Sequence, residues 1–174
     1  KTTVTPAKKQ KAQLKAHALD MWNFFAEYVT ERDNHLPPDN YQISPVEALA
    51  RRTSPTNIGM YLISVLSARD FGFIDTAQMY KRIADTMTTL ELLPKWNGHL
   101  YNWYATDTAK VLNPAFISTV DSGNLICSLI TLRQGILEYA FENTELVSLA
   151  FRIDKFIKQT DFLPLYDKKR KLFS

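Results

Sequence analysis

Apolar residues fall at Leu14, Ala18, Met21, Phe25 and Tyr28/Val29, with Lys, Gln, Asp and Glu between them. This three-and-four spacing predicts a helix over 7–32 that buries one face, and Pro6 after Thr5 suits its start. Residues 34–40, with Pro37 and Pro38, cannot continue it, because consecutive prolines remove donors and push their predecessors towards extended geometry. The next start is Thr53-Ser54-Pro55, a hydroxyl cap followed by proline at the first helical position. The helix it opens runs from Ile58 through Arg69 to a stop near Gly72, and its apolar residues (Ile58, Met60, Tyr61, Leu62, Ile63, Val65, Leu66) lie nearly all round, as in a buried helix. A third helix from Asp75 or Thr76 places Met79, Ile83, Met87, Leu90 and Leu93 on one face and stops before Pro94. Residues 95–119 have no helical period and read as a long ordered loop with room for a short hairpin. A fourth helix, starting near Asp121-Ser122, is apolar through Leu125, Ile126, Cys127, Leu129, Ile130, Leu132, Ile136 and Leu137. A fifth, from Thr144, buries Leu146, Val147, Leu149, Ala150, Ile153, Phe156 and Ile157 and ends before Pro164.

The order is therefore amphipathic, buried, amphipathic, buried, amphipathic. Alternation of covering and lining helices is the pattern of an α/α toroid, so the predicted fold is all-α, a partial (α/α)6 toroid of five or six helices. An internal echo agrees with it: Asn57-Ile58 followed by Leu62-Ile63 recurs as Asn124-Leu125 followed by Leu129-Ile130, 67 positions later.

Composition narrows the class. Of 174 residues, 45% are apolar and 22% charged, which excludes disorder and suits one packed domain that needs neither disulfides nor a structural metal. The formal charge of +3 comes mostly from Lys8-Lys9 with Lys11 and from Lys168-Lys169-Arg170-Lys171, while acids and bases are interspersed between them; this argues against a nucleic-acid partner. No run of about 18 apolar residues occurs, so no membrane span or export signal is expected and the segment itself should be soluble. The missing initiator Met and the final Leu172-Phe173-Ser174 suggest a single fragment, 1–174, of a larger domain, with flexible or truncated ends at 1–10 and 167–174.

Chemistry concentrates in three segments before or between helices: Arg51-Arg52-Thr53-Ser54-Pro55-Thr56-Asn57, Gly98-His99-Leu100-Tyr101-Asn102-Trp103-Tyr104 and Ser118-Thr119-Val120-Asp121-Ser122-Gly123-Asn124. If the buried helices run parallel around an axis, all three gather at one end. Aromatic faces interleaved with amide, hydroxyl, carboxylate and guanidinium groups suit a sugar ring, whose C–H face packs on an aromatic while its hydroxyls need donors and acceptors. Each residue also has a structural role open to it. Ser54, Asp121 and Ser122 can cap helices, Trp103 and Tyr104 can plug the core beneath the loop, and Arg52 can lie on the surface. His17, His35 and His99 are too scattered for a metal site, no phosphate loop or cofactor motif occurs, and Cys127 in an apolar helix reads as a small core residue. Glycoside chemistry needs two carboxyl groups roughly 5 to 10 Å apart. Only Asp121 stands firmly in a site segment, with Asp107 second, so a catalytic pair is not complete here.

On these three runs, extended to Ile58-Gly59 in the first and Leu125 in the third, the chain resembles the cyclic β-1,2-glucan synthases over about residues 15 to 174. The resemblance is to their glycoamylase-like α/α-barrel middle region. It implies a multi-domain bacterial enzyme anchored in the inner membrane, with this region on the cytoplasmic face as part of a transglycosylase that closes linear β-1,2-glucan into rings. It further implies a glucan chain and the remaining helices and domains of the parent as partners, and glucan contact by Arg52, Ser54, Asn57, Asn102, Trp103, Tyr104, Asp121, Ser122 and Asn124. The main catalytic carboxylates are expected beyond Ser174. The family usually carries Asp directly after Asn-Trp-Tyr; here that position is Ala105, with Asp107 two residues on. Two other readings keep these residues: a β-1,2-glucan hydrolase, and a non-catalytic helical scaffold that contacts another domain. Exposed helix faces on such a fragment predict self-association.

Overall fold

A computed structural model describes residues 8–173. Helix α1 (Lys8–Tyr28) leads through a 3-10 turn at Glu31–Asp33 into two short strands, β1 (Tyr41–Gln42) and β2 (Ala48–Leu49), paired antiparallel. Strand β3 (Arg52–Thr53) enters α2 (Pro55–Asp70), which is followed by α3 (Thr76–Leu92). The connection to α4 (Thr119–Leu137) holds β4 (Lys95–Trp96), β5 (His99–Leu100) and β6 (Tyr104–Ala105). Helix α5 (Glu145–Gln159) precedes a 3-10 turn at Leu163–Leu165 and the hairpin of β7 (Tyr166–Asp167) and β8 (Leu172–Phe173). The predicted Pro6 start and residues 1–7 of the first expected end lie outside the described residues, whereas Lys8 to Gln10 are helical.

The inner-and-outer alternation is present. α2 and α4 pack along each other, α1 covers α2, α3 lies against α2 and α5, and α5 lies on α4. The core is built from Ile58, Leu62 and Val65 of α2, Ile83, Met87 and Leu90 of α3, Leu125, Leu129 and Leu132 of α4, and Leu149 and Ile153 of α5. Gly59 allows the two inner helices to come close: a Cβ there would lie 2.8 Å from Ser128 Oγ and 3.4 Å from Leu125 Cα. No helix among the described residues is long and apolar enough to cross a membrane.

Three expectations need correction. On α1 the buried face is centred on Trp22 with Phe25, Ala26 and Val29, while Leu14 and Met21 are exposed. The arginine side chain of Arg82 stacks on the Trp22 ring at 5.1 Å, an anchor that hydrophobic spacing alone does not reveal. Cys127 is exposed rather than buried. It lies on the edge of α4 that also exposes Val120 and Ile130, so the inner helices are apolar nearly all round yet covered on only part of their circumference. The fourth helix starts earlier than predicted, capped by Ser118, whose side chain accepts from Asp121 N.

A buried acid braces the end of the molecule at which the three segments lie. Asp33, only 4% exposed, accepts hydrogen bonds from Arg51, Thr106 Oγ1 (3.0 Å) and Thr30 Oγ1 (3.1 Å). Burial alone would raise its pKa, but the bonds from Arg51, Thr106 and Thr30 outweigh it and hold the carboxyl below the usual range. Because the folded value lies below the unfolded one, this stabilisation is complete above about pH 4 and is lost as pH falls through the folded value. Glu142, held low by Thr76 and Arg69, and Asp154, held low by Lys158 and Arg133, act in the same direction. Denaturant melts are therefore expected to show little change between about pH 7 and 5 and a fall in stability at about pH 3. Asp33→Asn should cost about 1–2 kcal/mol at neutral pH and make that fall shallower.

Candidate functional site

The three segments meet. β3 pairs antiparallel with β6, Arg52 opposite Ala105 and Thr53 opposite Tyr104, which joins the first segment to the second. Asn102 N donates to Phe116 O (2.9 Å), which ties the second to the lead-in of the third. The third opens α4, and close packing of α2 on α4 sets their first turns side by side.

Asp121 is the hub. Its Oδ1 accepts from Thr56 Oγ1 at 2.5 Å, and its Oδ2 accepts from Ser118 Oγ at 2.5 Å. With its amide oriented to satisfy both neighbours, Asn102 donates to Asp121 Oδ2 (3.0 Å) and accepts from Trp103 Nε1 (2.8 Å). Asn124 Nδ2 donates to Thr56 Oγ1 at 3.1 Å. The indole is thereby tied by its N–H to the amide that meets the carboxylate. Its ring carries the guanidinium of Arg52, centred 4.7 Å from the centroid.

Arg52 is held in turn. Its Nε and Nη2 donate to Asp39 Oδ2 at 3.2 and 3.0 Å, and Asn57 Nδ2 donates to Asp39 Oδ1 at 3.0 Å. A continuous chain of polar contacts thus runs from Asp39 through Arg52, Trp103 and Asn102 to Asp121, Thr56 and Asn124. Asp39 is a residue that sequence reading missed, along with Thr56 and Ser118 as partners of Asp121. It lies in the proline loop, which is packed into the molecule through the buried Pro37 and Pro38. An acid directly after a proline pair was the available signal, but its partner is 13 residues away along the chain.

Not every expected residue reaches this surface. Ser54 is buried and serves as N-cap of α2, accepting from Asn57 N at 3.2 Å. Tyr104 is fully buried: its hydroxyl donates to Pro94 O (2.6 Å) and accepts from Tyr101 N (2.8 Å), and burial pushes the phenol pKa up. It is a core plug with neither ring nor hydroxyl left to offer. Ser122 is also buried, 3% exposed, on the inner side of the first turn of α4. Asp107, second choice for a carboxylate, is exposed beyond β6; its carbonyl accepts from Asn34 and its charge acts on Arg51. The residues brought together towards the surface are therefore Arg52, Asn57, Trp103, Asp121 and Asn124, with the buried Asn102 linking Trp103 to Asp121 from beneath. Among the described residues no group of three or more His, Cys, Asp or Glu side chains could hold a metal ion.

What gathers here is one aromatic ring, one guanidinium, two carboxylates, three amides and hydroxyls at a common end of the inner helices. Such a surface can stack on a ring and exchange hydrogen bonds with hydroxyl groups on either side of it.

Comparison with known proteins bears out the resemblance read from the sequence. Over 119 residues, 68% of the chain, it is 47% identical to the cyclic β-(1,2)-glucan synthase NdvB of Rhizobium meliloti (strain 1021), of which it spans 4%. Among solved structures, a candidate glucoamylase from Bacteroides fragilis superposes with a TM-score of 0.77 at 19% identity, covering 95% of this chain and 40% of that one. The endo-β-1,2-glucanase of Chitinophaga pinensis, solved as a sophorotriose and glucose complex, gives 0.70 at 19% identity, with 88% of this chain and 42% of that one covered. At such identity these two establish the fold, a glucoamylase-like α/α barrel of which this chain spans about two fifths. A model of a protein family of unknown function, DUF3131, matches residues 16–171, so the chain belongs to the DUF3131 family.

Proposed function

We propose that this chain forms the N-terminal part of an α/α toroid in which the surface around Asp121 holds a β-1,2-glucan chain, within an enzyme that closes linear glucan into rings. The observation that carries the reading is the convergence of three segments, distant in sequence, on one carboxylate beside a stacked indole. Support comes from the 47% identity to a cyclic β-(1,2)-glucan synthase and from a barrel shared with an endo-β-1,2-glucanase whose structure holds sophorotriose and glucose. In this reading Trp103 supplies the face for a glucose ring, and Asp121 and Asn124 accept and donate to its hydroxyls. Asn57 and Arg52 extend the contact towards the next unit, with Asp39 keeping Arg52 in place. Asp121 is arranged as a hydrogen-bond acceptor, so the acid that protonates a leaving oxygen comes from the part of the barrel beyond Ser174. The parent enzyme would sit at the cytoplasmic face of the inner membrane.

Trp103 separates this reading from a non-catalytic scaffold. The ring is half-buried, and its contacts are polar and cationic rather than the apolar packing of a core plug. Trp103→Ala is expected to weaken glucan binding by at least tenfold, as the loss of one stacked ring implies, while lowering stability by only about 1 kcal/mol. Calorimetric titration with β-1,2-glucan and a thermal melt check the two halves. A loss of about 3–5 kcal/mol in stability with glucan binding unchanged would favour the scaffold.

The missing part of the barrel should also be felt by the chain in isolation. Val120, Ile130, Val147 and Phe151 lie exposed on the α4 and α5 side, and Met21, Met60 and Phe71 on the α1 and α2 side. The 174-residue chain alone is expected to self-associate, eluting earlier from a sizing column as concentration rises. Elution as a monomer at every concentration is the contrary result.

A further inference from the structure

Among the described residues three buried side-chain atoms have no hydrogen-bond partner, Thr53 Oγ1, His99 Nδ1 and Ser122 Oγ, and the last two belong to residues that line one small cavity. His99 is 1% exposed; its Nε2 lies 2.7 Å from Asp161 O, and its Nδ1 makes no hydrogen bond to any protein atom. Ser122 is 3% exposed, and its Oγ likewise makes none. Both residues line a cavity of about 10 Å³, with Leu125, Ile126, Phe156 and Thr160 around them. That volume sits at the lower bound of what one water molecule needs, roughly 10–15 Å³, and is too small for anything larger.

The chemistry of the two groups limits what can satisfy both. A carbonyl can only accept, so His99 Nε2 carries the proton towards Asp161 O, and in the neutral ring Nδ1 then presents a lone pair. That lone pair needs a donor. The Ser122 hydroxyl has a hydrogen to give and lone pairs to offer. Leaving both buried and unmet would cost each its full desolvation penalty. Thr160, the other polar side chain on the cavity wall, is engaged with Gly98 O and Phe156 O.

We infer that a single buried water occupies this cavity, donating to His99 Nδ1 and accepting from Ser122 Oγ–H. It ties the first turn of α4, through Ser122, to the β4–β5 hairpin and the exit of α5, which His99 Nε2 and Asp161 O already join. Ser122 is the residue after Asp121, so the water braces that turn from its buried side while Thr56 and Asn102 hold the Asp121 carboxylate. The site does not depend on what the surface binds. Ser122 acts here as a water ligand and His99 as a positioning residue.

Two measurements test it. A crystal structure of the protein resolving ordered solvent should show one water within hydrogen-bond distance of both His99 Nδ1 and Ser122 Oγ. In the 15N spectrum of the histidine rings at neutral pH, His99 should be the Nε2–H tautomer with an unprotonated, hydrogen-bonded Nδ1. Ser122→Ala should leave the fold and that tautomer intact but shift the His99 Nδ1 resonance towards that of a free lone pair. The inference is overturned if the cavity is dry with Ser122 Oγ turned to a helix carbonyl, if Ser122 bonds His99 directly, or if Ser122→Ala leaves the Nδ1 resonance unmoved.

Discussion

Asp121→Ala is expected to reduce the affinity for β-1,2-glucan by about a hundredfold, the equivalent of losing one or two hydrogen bonds to a charged group. The same change releases Thr56 Oγ1, Ser118 Oγ and the Asn102 amide from their shared acceptor. Stability should therefore fall by about 1–2 kcal/mol, with the fold retained, because these donors lie near the surface and water can reach most of them. Asp121→Asn discriminates further. It keeps volume and one acceptor oxygen but adds a donor that faces Thr56 Oγ1 in one orientation and Ser118 Oγ with the Asn102 amide in the other, so it should bind glucan nearly as poorly as alanine. Isothermal titration beside a denaturant melt measures both effects. Unchanged affinity in a well-folded Asp121→Ala protein would remove the carboxylate from the site.

Gly98→Ala should produce the largest loss of stability of any single methyl addition in the chain. Asn97 and Gly98 form the two-residue turn between β4 and β5, with φ of 47° and 81°, and positive φ at both central residues is what a twisted hairpin turn requires. Asparagine tolerates that region and glycine adopts it freely. A Cβ at Gly98 would meet Gln159 O at 2.0 Å and Thr160 Cα at 2.8 Å, both backbone atoms that cannot rotate aside. Backbone strain of about 1 kcal/mol adds to an overpacking term of about 1–3 kcal/mol, so a loss of about 3 kcal/mol is expected. The displaced hairpin would carry Asn102 and Trp103 with it, so glucan binding should weaken as well. Gly72→Ala is the control: φ is 72° there, but no atom lies within 4 Å of the added Cβ, and only the strain remains. Similar melts for the two variants would show that the contact with the end of α5 is not close.

Much of the helical frame is legible because its signals are local. Ser54-Pro55 sets the start of α2, Asp75 caps α3 with Gln78 closing the box, and the Met79, Ile83, Met87, Leu90 stripe is buried as its spacing predicts. Where several residues can cap, locality fails. Ser118, Thr119, Asp121 and Ser122 all suit the start of α4, and the choice of Ser118 is decided by where the Asp121 carboxylate finds Thr56, 65 residues earlier. On α1 the periodic residues Leu14 and Met21 outnumber the cue for Trp22, but only the part of the helix that reaches α2 and the Arg82 side chain is covered. The hairpin had a local signal in Asn97-Gly98, a dipeptide suited to a two-residue turn and preceded by Trp96.

The site was legible as three segments and not as a network. Aromatic, amide and acid residues at loop ends mark where the proposed ligand surface forms. Which of them face it depends on the pleat of the β3–β6 pair and on the first turn of α4. Along β6 and the residue before it, Trp103 and Tyr104 are neighbours in sequence that point to opposite sides, one to the surface and one into the core. Ser122 differs from Asp121 in the same way, by the turn of a helix. Asp39 was hidden because nothing local distinguishes an acid that caps a loop from one that holds an arginine across it.

The protein carrying this chain and the helices that follow it, incubated with linear β-1,2-glucan, should yield products lighter than linear chains of equal length by one water, as weighed by mass spectrometry. Shortened linear chains would keep the glucan surface and replace ring closure by hydrolysis. Linear glucan recovered unchanged and unbound from a folded protein would contradict a glucan site at Asp121.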